Sequence, residues 1–178
     1  VNGNSRSYGY ARATYLEFVS STNASAWTDR LRNRPVGFVV TVDIEEMGSR
    51  TMYARLHENL ASRSDDVPGL GRYRLVYASS DGTRKVWAIV DGYRVPVNAT
   101  PGETVTVRKR VSVDGTSFEY VRTVTVDANG TASIVVPYPG TYTVGDATIT
   151  VGNRSTTGSG IDESRRPTGS GIDESRRP

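Results

Sequence analysis

The chain has no cysteine and a single histidine, His57. The first absence excludes disulfides, thiolate catalysis and cysteine-ligated zinc. The second excludes any metal site built on a histidine cluster. No apolar stretch approaches the roughly 18 uninterrupted residues of a membrane span; the best, VGFVVTV at 36–42, has the length of a strand. No secretory leader is visible. A large excess of either charge is also lacking. Lysine and arginine number 22 against 19 aspartates and glutamates, a net of +3. Despite a pI near 9.3, no basic patch is dense enough to indicate nucleic acid. Valine stands first, where an initiator methionine is expected, and reads as the start of a fragment or a processed product.

What is present divides near residue 70. The spacing of Ala11, Tyr15, Phe18 and Val19 puts them on one helical face. Asn23 is a good N-cap for a short helix holding Trp27 and Leu31, which Pro35 must end. VGFVVTV reads as a strand buried on both faces. Met52, Leu56 and Leu60 recur every fourth residue and predict an amphipathic helix from about Ser49 to Ala61.

From Arg72 the period becomes two. RYRLVYAS, RKVWAIVDG, ETVTVRKRVSV, SFEYVRTVTV and ASIVVPY read as strands, with shorter ones in TYTV and ATITV. Asp114-Gly115 signals a two-residue hairpin. Its register sets Val111 opposite Phe118, Arg110 opposite Glu119 and Lys109 opposite Tyr120. Arg110 then has a carboxylate, and the Lys109 stem can cover Tyr120, so Arg108-Lys109-Arg110 is not a nucleic-acid stripe.

The fold class expected is α+β. A helix-rich mixed α/β part over 1–70 is followed by an antiparallel β-rich part over 71–152, barrel- or sandwich-like, either separate from the first or sharing its core. Residues 153–178 read as a flexible tail. TGSGIDESRRP occurs there twice without a change, at 157–167 and 168–178. So perfect a copy marks an appendage outside the fold or a very recent duplication.

Candidate chemistry is sparse. A catalytic histidine needs an orienting acid and a nucleophile within reach. Glu58, adjacent to His57 on a helix, points about 100° away, so a surface or helix-end place is the expectation for His57. Asp43, Glu45 and Glu46 follow a strand and could hold Ca²⁺ or Mg²⁺, but they lack a loop-type spacing, and Glu46 can pair with Arg50 instead. GLGR at 69–72 is a pair of turn glycines, not a phosphate loop. Asn23, Asn98, Asn129 and Asn153 each open an N-x-S/T sequon. That density favours an extracytoplasmic address, with Asn98, Asn129 and Asn153 as possible glycan acceptors and Asn23 unmodified because it caps a helix.

The order MYARLHENL, acidic loop, RYRLVYAS, KVWAIVDG resembles the soluble C-terminal domain of the archaeal oligosaccharyltransferase catalytic subunit, the AglB family. RPVGFVVTVD is similar to that family's strand ending in aspartate, YARATYLEFVSSTNASAW to the helix pair before it, and DANGTASIVVPY to its late β segment. The resemblance spans about residues 1–152. It implies an enzyme that transfers a lipid-linked oligosaccharide to the asparagine of N-x-S/T sequons, with acceptor polypeptide and lipid-linked oligosaccharide as partners and no nucleic acid. It also implies that the catalytic acids and a divalent metal, Mn or Mg, belong to a membrane domain outside this chain. The chain would then bind no cofactor itself, be inactive alone, and stand as a soluble domain on the extracytoplasmic face of the cell membrane. The family signature WWDYG would lie upstream. Its second motif, D-x-x-K-x-x-x-M, has only approximate counterparts here in Asp43, Glu46, Arg50 and Met52, without the lysine, and these mark the expected acceptor-binding region.

A rival reading is a β-sandwich binding or adhesion module of a cell-surface protein, since VTVDANGTASIVVPYPGTYTV also resembles prealbumin-like modules. Residues 1–61 discriminate, because a sandwich has no need of their helices.

Overall fold

A computed structural model describes residues 4–33, 36–44 and 47–152, with side chains from Arg12 onward. The Ala11 side chain, Pro35, Glu45, Glu46, Asn153 and the repeated tail lie outside the described residues.

Helix α1, Asn4–Ser20, packs Phe18 and Val19 inward. Helix α2, Ala24–Arg32, begins as its sequence predicts: the Asn23 side-chain oxygen accepts from the Ala26 N–H at 3.1 Å, meeting one of the donors a helix start leaves unpaired. Its buried residues are Trp27 and Leu31, and Phe18 meets Trp27 edge to face at 5.4 Å.

Strand β1, Phe38–Val42, departs from the expectation of burial on both faces. It alternates: Val39 and Thr41 point inward, while Phe38, Val40 and Val42 stand out, Phe38 at 63% exposure. The cause is topological. β1 lies at the edge of a three-stranded antiparallel sheet, ordered β1-β3-β2, with β2 Tyr73–Ala78 and β3 Arg84–Ile89. Among the described residues the helices pack only against the face that carries Val39 and Trp87.

The segment after β1 also differs from its reading as a regular helix from Ser49 to Ala61. The helical turn opens at Met52 and widens into a π-helix, Ala54–Glu58, in which the Asn59 N–H reaches back to the Ala54 carbonyl at 2.8 Å. Leu60 and Ala61 then take left-handed conformations, φ 51° and 58°, which end the helix. The fourfold spacing still buries Met52 and Leu56, but the extra residue in the turn brings His57 inward beside them.

Strand β4, Tyr93–Asn98, is absent from the strands expected from the sequence, and it contains Pro96. Proline is tolerated there because β4 pairs with one neighbour only, β7 Thr131–Val136. The remaining sheet runs β6-β5-β8-β9, with β5 Thr104–Val113, β6 Thr116–Thr125, β8 Gly140–Val144 and β9 Ala147–Val151. The Asp114-Gly115 turn gives the predicted register, both residues at positive φ. Two side chains do otherwise than expected. Glu119 pairs with Arg108 at 2.9 Å, the diagonal neighbour, rather than with Arg110. Lys109 reaches past Tyr120 to lie 5.4 Å over the Tyr142 ring.

The α+β class therefore holds, with antiparallel sheets and, among the described residues, no closed barrel. Two apolar clusters form. One joins α1, α2, the π-helix and the β1-β3-β2 sheet around Trp87, Tyr73 and Leu56. The other joins β4 to β9 around Val95, Val107, Tyr120 and Tyr142. Val113 and Phe118, flanking the hairpin turn, pack against both. Buried hydrogen bonds also cross between them: Tyr138 hydroxyl accepts from the Leu75 N–H at 3.0 Å, and Tyr120 hydroxyl donates to the Leu70 carbonyl at 2.7 Å. Among the described residues no helix is long and apolar enough to cross a membrane.

Candidate functional site

The end of β1 and the helical turn that follows carry the sequence-predicted acceptor region. Asp43 is exposed just beyond β1, its N–H held by the Thr83 carbonyl at 2.8 Å. The buried Tyr53 hydroxyl lies 3.4 Å from the Asp43 carboxylate and 3.2 Å from the Ile44 carbonyl, and accepts from the Ile44 N–H at 3.1 Å. One phenol thus fixes the turn that presents Asp43. Burial pushes the Tyr53 phenol up from its ordinary value, against the lowering effect of its backbone bond to Ile44, so it stays a neutral donor.

Arg50 takes Asp66 as its ion-pair partner, both side chains exposed. Met52 is fully buried and its N–H bonds the Ser21 carbonyl at 2.7 Å, so its side chain anchors the turn rather than facing a ligand. Glu46 lies outside the described residues. The turn brings Asp43 and Tyr53 together; it gives Arg50 a separate partner.

Behind Tyr53 is a polar network that sequence reasoning missed. His57, expected at a surface or helix end, is only 7% exposed. Its ring stacks on Tyr53 at 5.1 Å. Nδ1 lies 3.0 Å from the Thr41 hydroxyl and Nε2 lies 3.3 Å from Lys85 Nζ. Trp87 Nε1 donates to the same Thr41 oxygen at 3.3 Å, and Lys85 donates to the Gly82 carbonyl at 2.8 Å. A lysine ammonium can only donate, so Nε2 accepts and the proton of a neutral imidazole sits on Nδ1, donated to Thr41. Burial, then the Lys85 charge, hold the His57 pKa below its ordinary value, opposed by Asp43. Burial lowers Lys85 as well, again opposed by Asp43.

Thr41, the hydroxyl beside the ring, is fully buried, and among the described residues no carboxylate orients the imidazole, so His57 serves as a buried pin between the helical turn and the sheet. The signal for it lay in VVTV. Period two puts Thr41 on the face of Val39, and a hydroxyl on a buried face requires a partner.

The sequons divide in the same plain way. Asn98 and Asn129 are exposed, at the end of β4 and in the β6–β7 turn. Asn23 is occupied in its cap, where Ser25 also donates to its oxygen at 3.1 Å.

Among the described residues no three acids or histidines converge; Glu45 and Glu46, the companions of Asp43 in the candidate acidic trio, lie outside them.

The model of the archaeal glycosylation protein B long peripheral domain matches residues 92–169. Among solved structures, the oligosaccharyltransferase AglB of Archaeoglobus fulgidus in complex with an inhibitory peptide and a dolichol-phosphate is similar in fold, with TM-score 0.62 and 15% identity over 76% of this chain. The apo form of the same organism's oligosaccharyltransferase, and the form tethered to an acceptor peptide containing an NVT sequon, each give TM-score 0.60 and 14% identity over the same share. The chain spans 31% of each of those chains. No curated protein matches it in sequence. The sequence match and the fold likeness point the same way: residues 92–169 are similar to the long peripheral domain of archaeal glycosylation protein B, and the fold is shared over 76% of the chain.

Proposed function

We propose that the chain is the extracytoplasmic C-terminal globular portion of an oligosaccharyltransferase, which transfers a lipid-linked oligosaccharide to asparagine in N-x-S/T sequons. The observation that carries this reading is the agreement of the family match over 92–169 with a fold likeness over 76% of the chain. A sandwich module would have no use for α1 and α2, whereas here Phe18, Val19, Trp27 and Leu31 are part of a core.

The role of this portion is to position the acceptor. A carboxamide is a weak nucleophile, so holding it in place supplies much of the rate. Asp43 and Arg50, on the rim formed by the β1 end and the following turn, are the groups offered to an acceptor backbone, with Met52 holding the turn from below and Glu46 beside them in sequence. Proton abstraction, cation binding and the lipid-linked oligosaccharide belong to the membrane portion. The isolated chain is inactive. Tyr53 and His57 stiffen the rim, which limits the ordering cost of binding.

The test is glycosylation of an N-x-S/T peptide by the intact parent protein in membranes with a divalent cation. Asp43→Asn and Arg50→Ala should raise KM for the peptide several-fold with kcat changed less. An intact parent with no transfer activity would sink the whole reading; transfer with unchanged KM in both variants would remove the acceptor role from this rim. Protease accessibility in right-side-out vesicles tests the extracytoplasmic placement.

A further inference from the structure

A second concavity lies away from that rim, between α2, the segment 68–73 and strands β6 and β7. It encloses about 450 Å³. Its walls bring together Arg55 from the π-helix, Arg122 from β6 and the first turn of α2 at Ala24 and Ser25. Each guanidinium donates to one backbone carbonyl. Arg55 Nη2 donates to the Pro68 carbonyl at 2.7 Å, and Arg122 Nη1 donates to the Val135 carbonyl. The Nε of each is buried and has no hydrogen-bond partner among the described residues. Burial, then the charge of Arg122, hold the Arg55 guanidinium below its ordinary value.

Two like charges forced together with unmet donors are an uncompensated cost unless something pairs with them. The other charged groups on the wall do not meet it. Arg72 is engaged with Asp91, and Asp29, which also lines the cleft, is exposed and makes no ion pair to either arginine among the described residues. The α2 start adds the positive end of a helix dipole to the same space.

We propose that this cleft is an oxyanion-binding site, in which Arg55 and Arg122 take a carboxylate or phosphate group between them. Planar guanidinium forks suit either group, because two N–H donors align with two oxygens. The ligand is held by the Nη–H donors not committed to the Pro68 and Val135 carbonyls, and its charge cancels the repulsion between the two cations. The site is independent of the acceptor rim and needs no membrane portion.

The experiment follows the unfolding midpoint of the chain against inorganic phosphate or acetate, with chloride holding ionic strength constant. Binding to the folded state raises the midpoint in a saturable way. The expected result is such a rise, with apparent affinity at least tenfold weaker in Arg55→Gln and in Arg122→Gln. Arg108→Gln, in the surface pair with Glu119, should behave as wild type. A response to phosphate alone assigns a phosphate group; a response to acetate alone assigns a carboxylate. No saturable rise with either anion, or an equal rise in Arg55→Gln, overturns the proposal. Should the variants fail to fold, amide shifts of the wild-type chain titrated with the same anions decide it: changes centred on Ala24, Ser25, Leu70 and Gly71 support the site, and changes centred elsewhere overturn it.

Discussion

His57 Nδ1 and the Thr41 hydroxyl stand 3.0 Å apart, joining the π-helix to the inward face of β1. The same oxygen accepts from Trp87 at 3.3 Å. Replacing Thr41 by valine would keep the shape and strand preference but leave two buried donors unmet. The loss should be about 1–3 kcal/mol, read by chemical denaturation, while Thr41→Ser should retain most of the stability.

The same ring predicts a pH dependence. Its folded pKa lies below the unfolded value of about 6.5, so below that pH the unfolded chain binds the proton more readily. The His57 contribution to stability should therefore be constant above neutrality and be lost as pH drops through about 6.5 toward the folded pKa. Denaturation series at pH 5 to 7.5 should show the decline in wild type and a shallower one in His57→Gln. Equal slopes would mean that His57 is not the titrating group.

Gly69 packs its Cα against β6. A methyl group there would meet the Val121 carbonyl at 2.7 Å and the Arg63 N–H at 3.0 Å. Both are backbone atoms and cannot swing aside, so Gly69→Ala should cost roughly 1–3 kcal/mol. Gly82→Ala meets no such contact but sits at φ 73°, so its smaller expected loss, roughly 1–2 kcal/mol, isolates conformational strain from collision.

The outward row of β1, Phe38, Val40 and Val42, lies on an edge strand and is exposed. Such an edge invites pairing with other chains. Val40→Lys should leave the unfolding free energy within about 0.5 kcal/mol yet lower concentration-dependent association in sedimentation. Unchanged association would show that this edge is not the sticky surface of the isolated chain.

Mapping glycans after expression in a host that glycosylates proteins tests the exposed sequons. Asn98 or Asn129 should be modified and Asn23 should not, because its side chain is committed to Ala26 N–H.

How much of this could be read beforehand depended on how local the cause was. The Asn23 cap and the β5–β6 register follow from residues a few positions apart, and both appear as expected. The exposure of Phe38 could not be read from its neighbours, since an apolar run looks the same whether one face or two are covered. The π-turn escaped because Met52 and Leu56 fit a regular helix equally well; the extra residue shows itself only in the burial of His57. The cleft of Arg55 and Arg122 was the least legible, because its walls come from positions 24 to 135 and meet only when the two clusters dock.

Val113 and Phe118 have a consequence for how this architecture can be inherited. Because the tip of one hairpin is shared property, neither half offers the other a neutral surface. A recombinant that grafted residues 92–152 of a relative onto this front half would inherit a tip shaped for a different cavity. Exchange between family members should succeed only when the tip and its receiving pocket travel together.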